Sequence, residues 1–180
     1  IIRYTFDASL DHLAGDIDYA GEKTQCALLV AVELLAQTEG YENYEKFYEG
    51  LGMISNIIKN ARKHVAERAE AFAEEYKNDS VIYTMGSGAS YGAAYMESIC
   101  IFMEMQWLDS SSIHTGEYFH GPFEITDANR PFMIQISEGT TRELDERALT
   151  FLKKYAKRIE VLDAKEPVSY THLRAHETLR

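Results

Sequence analysis

Between Thr24 and Thr38 the chain reads TQCALLVAVELLAQT, apolar on almost every side of a helical wheel. That is the pattern of a helix buried within a domain, with Gly40 following as its C-terminal cap. A polar, aromatic-rich helical region runs on to about Gly52. Beyond it, Ile54, Ile57, Ile58, Ala61, Val65, Ala69 and Phe72 recur at helical spacing and predict one long amphipathic helix. The texture changes at Asn78-Asp79. VIYTM predicts a short strand, GSGASYG a turn, and AAYMESICIFMEMQW a helix. A β-type segment (SSIHT) follows, then GEYFHGPFE, the strand PFMIQIS, the helix TRELDERALTFLKKYAKR and a last strand, IEVLD. Strands alternating with helices imply crossovers, a parallel sheet and helices on both of its faces. From residue 57 onward the pattern predicts an α/β, three-layer αβα sandwich.

Ligands of such sheets bind beyond the carboxyl ends of the strands. Three loops fall there. GSGASYG (residues 86–92), with Ser87, offers N–H groups and hydroxyls to an anion but lacks a P-loop lysine, and a tight structural turn explains it equally. SEGTTRE (residues 137–143) brings Ser137, Thr140 and Thr141 to a helix start, where capping accounts for the threonines without a ligand. The third is GEYFHGPFE. There Pro122 fixes its own φ and narrows the choices of Gly121, so the backbone after His120 is stiff. A hydrogen-bonded structural imidazole and an aimed proton donor both fit.

On the preceding helix, Glu97 and Glu104 stand seven residues apart, nearly on one face if the winding is α-helical. Met103, Met105 and Trp107 flank Glu104. Desolvation in such a setting raises a carboxylate's pKa toward that of a useful base, whereas the solvent edge of an amphipathic helix is the plainer alternative.

Composition excludes more than it assigns. At 46% hydrophobic and 26% charged, the 180 residues describe a globular chain rather than a disordered one. A net charge of -11 argues against nucleic acid, and no run is long enough to span a bilayer. Cys26 and Cys100 form neither a disulfide framework nor a metal-like spacing, which points to a reducing cytoplasm and no metal. Beyond Asp163 the pattern collapses. VSYTHLRAHET (Val168 to Thr178) resembles the translation of a sequencing adapter, so residues 168–180 are set aside, and His172 and His176 with them.

YTMGSGASYGAAYMESICIFMEMQW, GEYFHGPFEITD and ISEGTTRELDERA together resemble the second sugar-isomerase (SIS) domain of tandem-SIS enzymes, a flavodoxin-like fold. The group includes the isomerase half of glucosamine-6-phosphate synthase and the deglycases of phosphorylated Amadori products. AGEKT, VELLAQTEGY, SICIFMEMQW and HGPFEITDAN are most similar to the 6-phosphofructose-aspartate deglycases of fructose-asparagine utilisation. The resemblance implies residues 1–56 as the helical end of a first SIS domain, 57–167 as an incomplete second one, and 168–180 as a non-native tail. It implies Glu104 as the carboxylate moving a proton on the sugar chain and His120, sixteen positions later, as the acid in ring opening. It adds Glu97 beside the site and, with Gly21 and Glu22, Lys23 of AGEKT as contacts to the sugar. It implies no cofactor, a homodimer in which His120 reaches the neighbour's site, and a chain inactive by itself. Ile101 stands where the synthase has a lysine, which favours the deglycases. The alternatives are a fructoselysine 6-phosphate deglycase, a synthase-like aldose-ketose isomerase and a non-catalytic phosphosugar-binding regulator.

Overall fold

The structure is a computed structural model that describes the backbone of residues 19–168 and the side chains of 25–166, Ser55 excepted. The adapter-like residues past Val168, with His172 and His176, lie outside the described residues. The chain divides into two compact units between Ala66 and Glu67.

The first unit contains α1 (Tyr19–Thr38) and the greater part of α2 (Tyr44–Tyr76), up to Ala66. Gly40 ends α1 as expected. It takes φ +80, and the N–H groups of Glu39 and Gly40 donate to Leu35 O at 2.9 and 3.1 Å. The all-round burial expected of α1 is not met, since Val30 is 45% and Leu34 63% exposed. Two helices cover one side of each other and no more, so only positions such as Cys26 and Leu51 are buried. The break expected near Gly52 is also absent. Gly50 and Gly52 lie inside α2, which runs unbroken for 33 residues. Two helical glycines cost about 1 kcal/mol each, too little to interrupt a helix fixed on both sides by packing.

The second unit is a four-stranded parallel sheet in the order β2-β1-β3-β4. Its strands are β1 (Val81–Gly86), β2 (Asp109–His114), β3 (Phe132–Ile136) and β4 (Ile159–Asp163). This is the flavodoxin-like doubly wound order, with its switch point between the ends of β1 and β3. Side chains alternate across the sheet because strand periodicity is two. Phe132, Ile134, Ile136 and Met85 face one side, where α4 (Arg142–Tyr155) packs through Ala148 and Leu152. Ile82 and Met133 face the other, against Phe72 and Tyr76 of α2 and Phe102. The helix carrying Phe102 starts as α3 (Gly88–Met96) and is tied to the sheet by Thr84, whose Oγ1 donates to Ala94 O at 2.8 Å. Helices on both faces of a parallel sheet are the predicted αβα layering. The ends of the sheet are pinned by arginine forks: Arg158 onto Asp79 with two 2.6 Å bonds, and Arg142 onto Asp163 at 2.9 and 2.6 Å.

Candidate active site

The helix that carries the two acids is not α-helical throughout. From Glu97 to Met105 it winds as a π-helix, and Gln106 N–H still donates five residues back to Ile101 O. Bonding from i to i+5 puts more residues in each turn than an α-helix holds, so seven steps no longer return to one face. The expectation that Glu97 and Glu104 share a face is therefore overturned. Glu97 is half-buried, and that burial raises its carboxyl pKa above the ordinary range. Glu104 is exposed, as are Met103, Met105 and Trp107. The desolvation expected of Glu104 thus falls on Glu97. Two residues past the π segment stands Trp107, 91% exposed at φ 57, and Leu108 N–H closes back on Phe102 O at 2.9 Å. A tryptophan in the left-handed region is a strained, solvent-facing residue directly beyond the candidate base.

His120 ends a 3₁₀ turn, Tyr118–His120, and a second turn, Pro122–Ile125, starts two residues later. Gly121 joins them at φ 149, a conformation closed to residues with a Cβ. The imidazole is exposed, but its backbone is fixed from both sides. Tyr118 is fully buried and its hydroxyl pairs with Thr126 Oγ1. Phe119 and Phe123, one before and one after the His-Gly-Pro step, both meet Phe151 of α4 edge-on, at 5.5 and 5.8 Å between ring centroids. The guanidinium of Arg147 lies over the Phe119 ring, 4.2 Å from its centroid. Stiffness after His120 was legible from Gly-Pro; the aromatic bracket around it was not. Neither the Glu104 nor the His120 side chain pairs with another group among the described residues, so both are free to meet a ligand.

The loops at the switch point are shorter than expected. GSGASYG reduces to Ser87, since Gly88 already opens α3. Ser87 is fully buried and its Oγ donates to Thr141 O at 3.2 Å, which spends the hydroxyl on holding two loops together. Ser137 is 7% exposed with its Oγ unpartnered among the described residues, while Thr140 is exposed. Thr141 stands at the N-cap of α4, but its side chain makes no capping bond; Oγ1 is buried against Gly88. The capping explanation of that threonine does not hold. Gly21, Glu22 and Lys23 fall in the first turns of α1, a helix rather than a loose turn, and their side chains lie outside the described residues.

Three residues that sequence reasoning passed over sit at the same edge of the sheet. His114, at the end of β2, accepts from Gly116 N–H through Nδ1 at 3.1 Å and meets the edge of Tyr91 at 4.9 Å. Thr115 follows it, buried, with Oγ1 donating to Asp145 Oδ1 at 2.6 Å. Asp145 was readable in principle, because Asp145, Ala148 and Leu152 share one stripe of α4 and the stripe is otherwise apolar.

A cleft of about 380 Å³ in the first unit, lined by Gln25, Leu29, Glu33, Tyr44 and Leu51 among others, contains none of these residues. Its Tyr44 hydroxyl donates to Glu33 at 2.6 Å, and that carboxylate pushes the phenol up to about 12. Among the described residues no cluster of ligating side chains could hold a metal, and no helix is long and apolar enough to cross a membrane.

No family model matches the chain. A solved structure from Salmonella typhimurium LT2, described as a phosphosugar isomerase, superposes with a TM-score of 0.75 at 47% identity. The match covers 81% of this chain and 46% of that one. Fold and sequence thus place the chain among the SIS-type αβα domains, the class of its solved neighbours. Within that class the chain is a homologue of fructosamine deglycase FrlB of Bacillus subtilis (strain 168), 52% identical over 126 residues, 70% of this chain and 38% of that protein. The fructoselysine 6-phosphate deglycase of Escherichia coli (strain K12) is 26% identical over 137 residues, 76% of this chain and 40% of that protein. The chain therefore spans well under half the length of the curated relatives it matches.

Proposed function

We propose that the protein to which this chain belongs is a deglycase of 6-phosphofructosyl amino acids, releasing glucose 6-phosphate and the free amino acid. The observation that carries the reading is the mounting of His120. A solvent-facing imidazole on a backbone braced by Tyr118, Phe119, Phe123 and Gly121 follows Glu104 in a chain 52% identical to a fructosamine deglycase. In this reading His120 protonates the ring oxygen as the sugar opens to its C2 ketone. Glu104 removes a proton from C1, leaving an enolamine, and returns it at C2, so that C1 becomes an imine to the amino acid nitrogen. Water adds to C1 and the amine departs with a proton. Atoms and charge balance without a cofactor: water supplies the C1 oxygen as the C1–N bond breaks, and the proton transfers are of the kind a carboxylate and an imidazole perform.

The finer assignment is the aspartate adduct, in a cytoplasmic homodimer. The exposure of Glu104 among Met103, Met105 and Trp107 supports a site completed by another body, which in this reading includes a second copy's His120. In this reading Ser87 (through its backbone N–H), Ser137, Thr140 and Glu97 are substrate contacts of the second unit, as Gly21, Glu22 and Lys23 are of the first. The lysine adduct is the second reading, favoured by the Escherichia coli relative. The test is glucose 6-phosphate release by the whole protein from the aspartate and lysine adducts compared side by side. Glu104→Gln is expected to lower kcat by about 10²–10⁴-fold, the usual contribution of a general base. Full turnover in that variant sinks the reading.

A further inference from the structure

Among the described residues, Asp145 is the one charged side chain that is fully buried, and it lies on the core-facing stripe of α4 beside Ala148 and Leu152. A carboxylate in such a place costs free energy that an alanine or leucine would not. Its Oδ1 takes a hydrogen bond from Thr115 Oγ1 at 2.6 Å, while Oδ2 has no partner among the described residues. A hydrogen bond of this length is a directional link to a single residue.

Thr115 is where the chain leaves the sheet. Its N–H donates to Gly86 O at 2.9 Å, which extends the β1–β2 pairing by one residue. Its carbonyl receives Tyr118 N–H at 3.4 Å, Glu117 N–H donates to His114 O at 2.8 Å, and His120 N–H donates to Glu117 O at 2.9 Å. Three overlapping turns therefore lead from the end of β2 to His120. The direction in which they set out depends on how the Thr115 peptide is held, and its side chain is anchored by Asp145. The aromatic bracket on Phe151 fixes the far end of the same segment to the same helix.

We infer that Asp145, acting through Thr115, is a positioning residue that fixes the direction of the His120 turn relative to α4. The inference rests on the deglycase reading for its effect on turnover, but the tether itself is independent of substrate. Thr115→Val alone strands a buried carboxylate at a cost to folding, so the informative variant is Thr115→Val with Asp145→Leu, which replaces both partners by apolar groups. In the whole protein it is expected to melt near the parent temperature, with kcat down about 10–100-fold and KM within about threefold. Amide exchange at Glu117 and His120 is expected to quicken at least tenfold. Thr115→Ser, which keeps the donor, is expected to retain parental kcat and exchange. The inference is overturned if the double variant folds and keeps both kcat and slow exchange, or if its loss merely follows the folded fraction. It is overturned too if Thr115→Ser behaves like the double variant. Faster exchange in a protein whose parent releases no glucose 6-phosphate supports the tether and sinks the deglycase reading.

Discussion

Gly88 and Thr141 touch so closely that a Cβ at 88 would lie 2.6 Å from Thr141 Oγ1. The contact joins the end of β1 to the N-terminus of α4, across the switch point where the ligand crevice of this fold lies. Gly88 also sits at φ +52. Gly88→Ala therefore meets two penalties, a backbone strain of about 1 kcal/mol and a clash that moves Thr141. We expect a loss of about 2–4 kcal/mol in denaturant unfolding, partly recovered by Thr141→Ala, which removes the clashing oxygen, in the same chain.

The fork from Arg142 onto Asp163 predicts a pH dependence with a definite sign. Bonding from the guanidinium holds the Asp163 carboxyl below the ordinary aspartate range. A depressed folded pKa stabilises the native state above the unfolded value of about 3.9, and this contribution is lost as pH falls through the folded value. Asp163→Asn is expected to be about 1–3 kcal/mol less stable than the parent at pH 7. Its deficit should shrink below about pH 4, as the parent's own carboxylate protonates. Urea melts at pH 7 and pH 3 check this; an equal deficit at both rules out the ionic contribution.

The strand pattern was legible because β-rich runs bounded by turn residues allow few alternatives, and VIYTM, PFMIQIS and IEVLD all became adjacent parallel strands. His120 was legible for a related reason: Gly-Pro restricts a backbone wherever it occurs. The mutual placement of Glu97 and Glu104 was not, since it depends on the winding of ESICIFMEM, and residue spacing cannot distinguish i→i+4 from i→i+5 bonding. The fate of Thr141 was hidden as well. Position made it a cap, but the close approach of Gly88, fifty-three residues earlier, took its hydroxyl inward.

Glu97 yields a prediction of the opposite sign to Asp163. Burial lifts its pKa above the unfolded value, so the folded state is favoured by protonation. The group's contribution is fully present below about pH 4.3 and is lost as pH rises through the folded value. Glu97→Gln, neutral at every pH, is expected to melt higher than the parent at pH 7 and equally at pH 4. A variant that melts lower at pH 7 would show that the carboxylate makes a favourable contact outweighing its desolvation.

The last prediction separates shape from chemistry at His120. Phe151 holds the rings on both sides of the His-Gly-Pro step, whereas Gly121 has no heavy atom within 4 Å of where a Cβ would stand. Phe151→Ala opens a cavity under the turn and is expected to cost about 3–5 kcal/mol, with turnover falling alongside. Gly121→Ala creates neither cavity nor clash; its penalty is the φ of 149, about 1–3 kcal/mol for a residue held there. The backbone can escape that strain only by rotating at 121, which swings the imidazole one residue before it. Gly121→Ala is therefore expected to lower kcat by more than its loss of stability accounts for, at a temperature where both proteins are folded. Unfolding curves and saturation kinetics on the same preparations decide it. If kcat survives Gly121→Ala unchanged, the direction of His120 is not set by this turn.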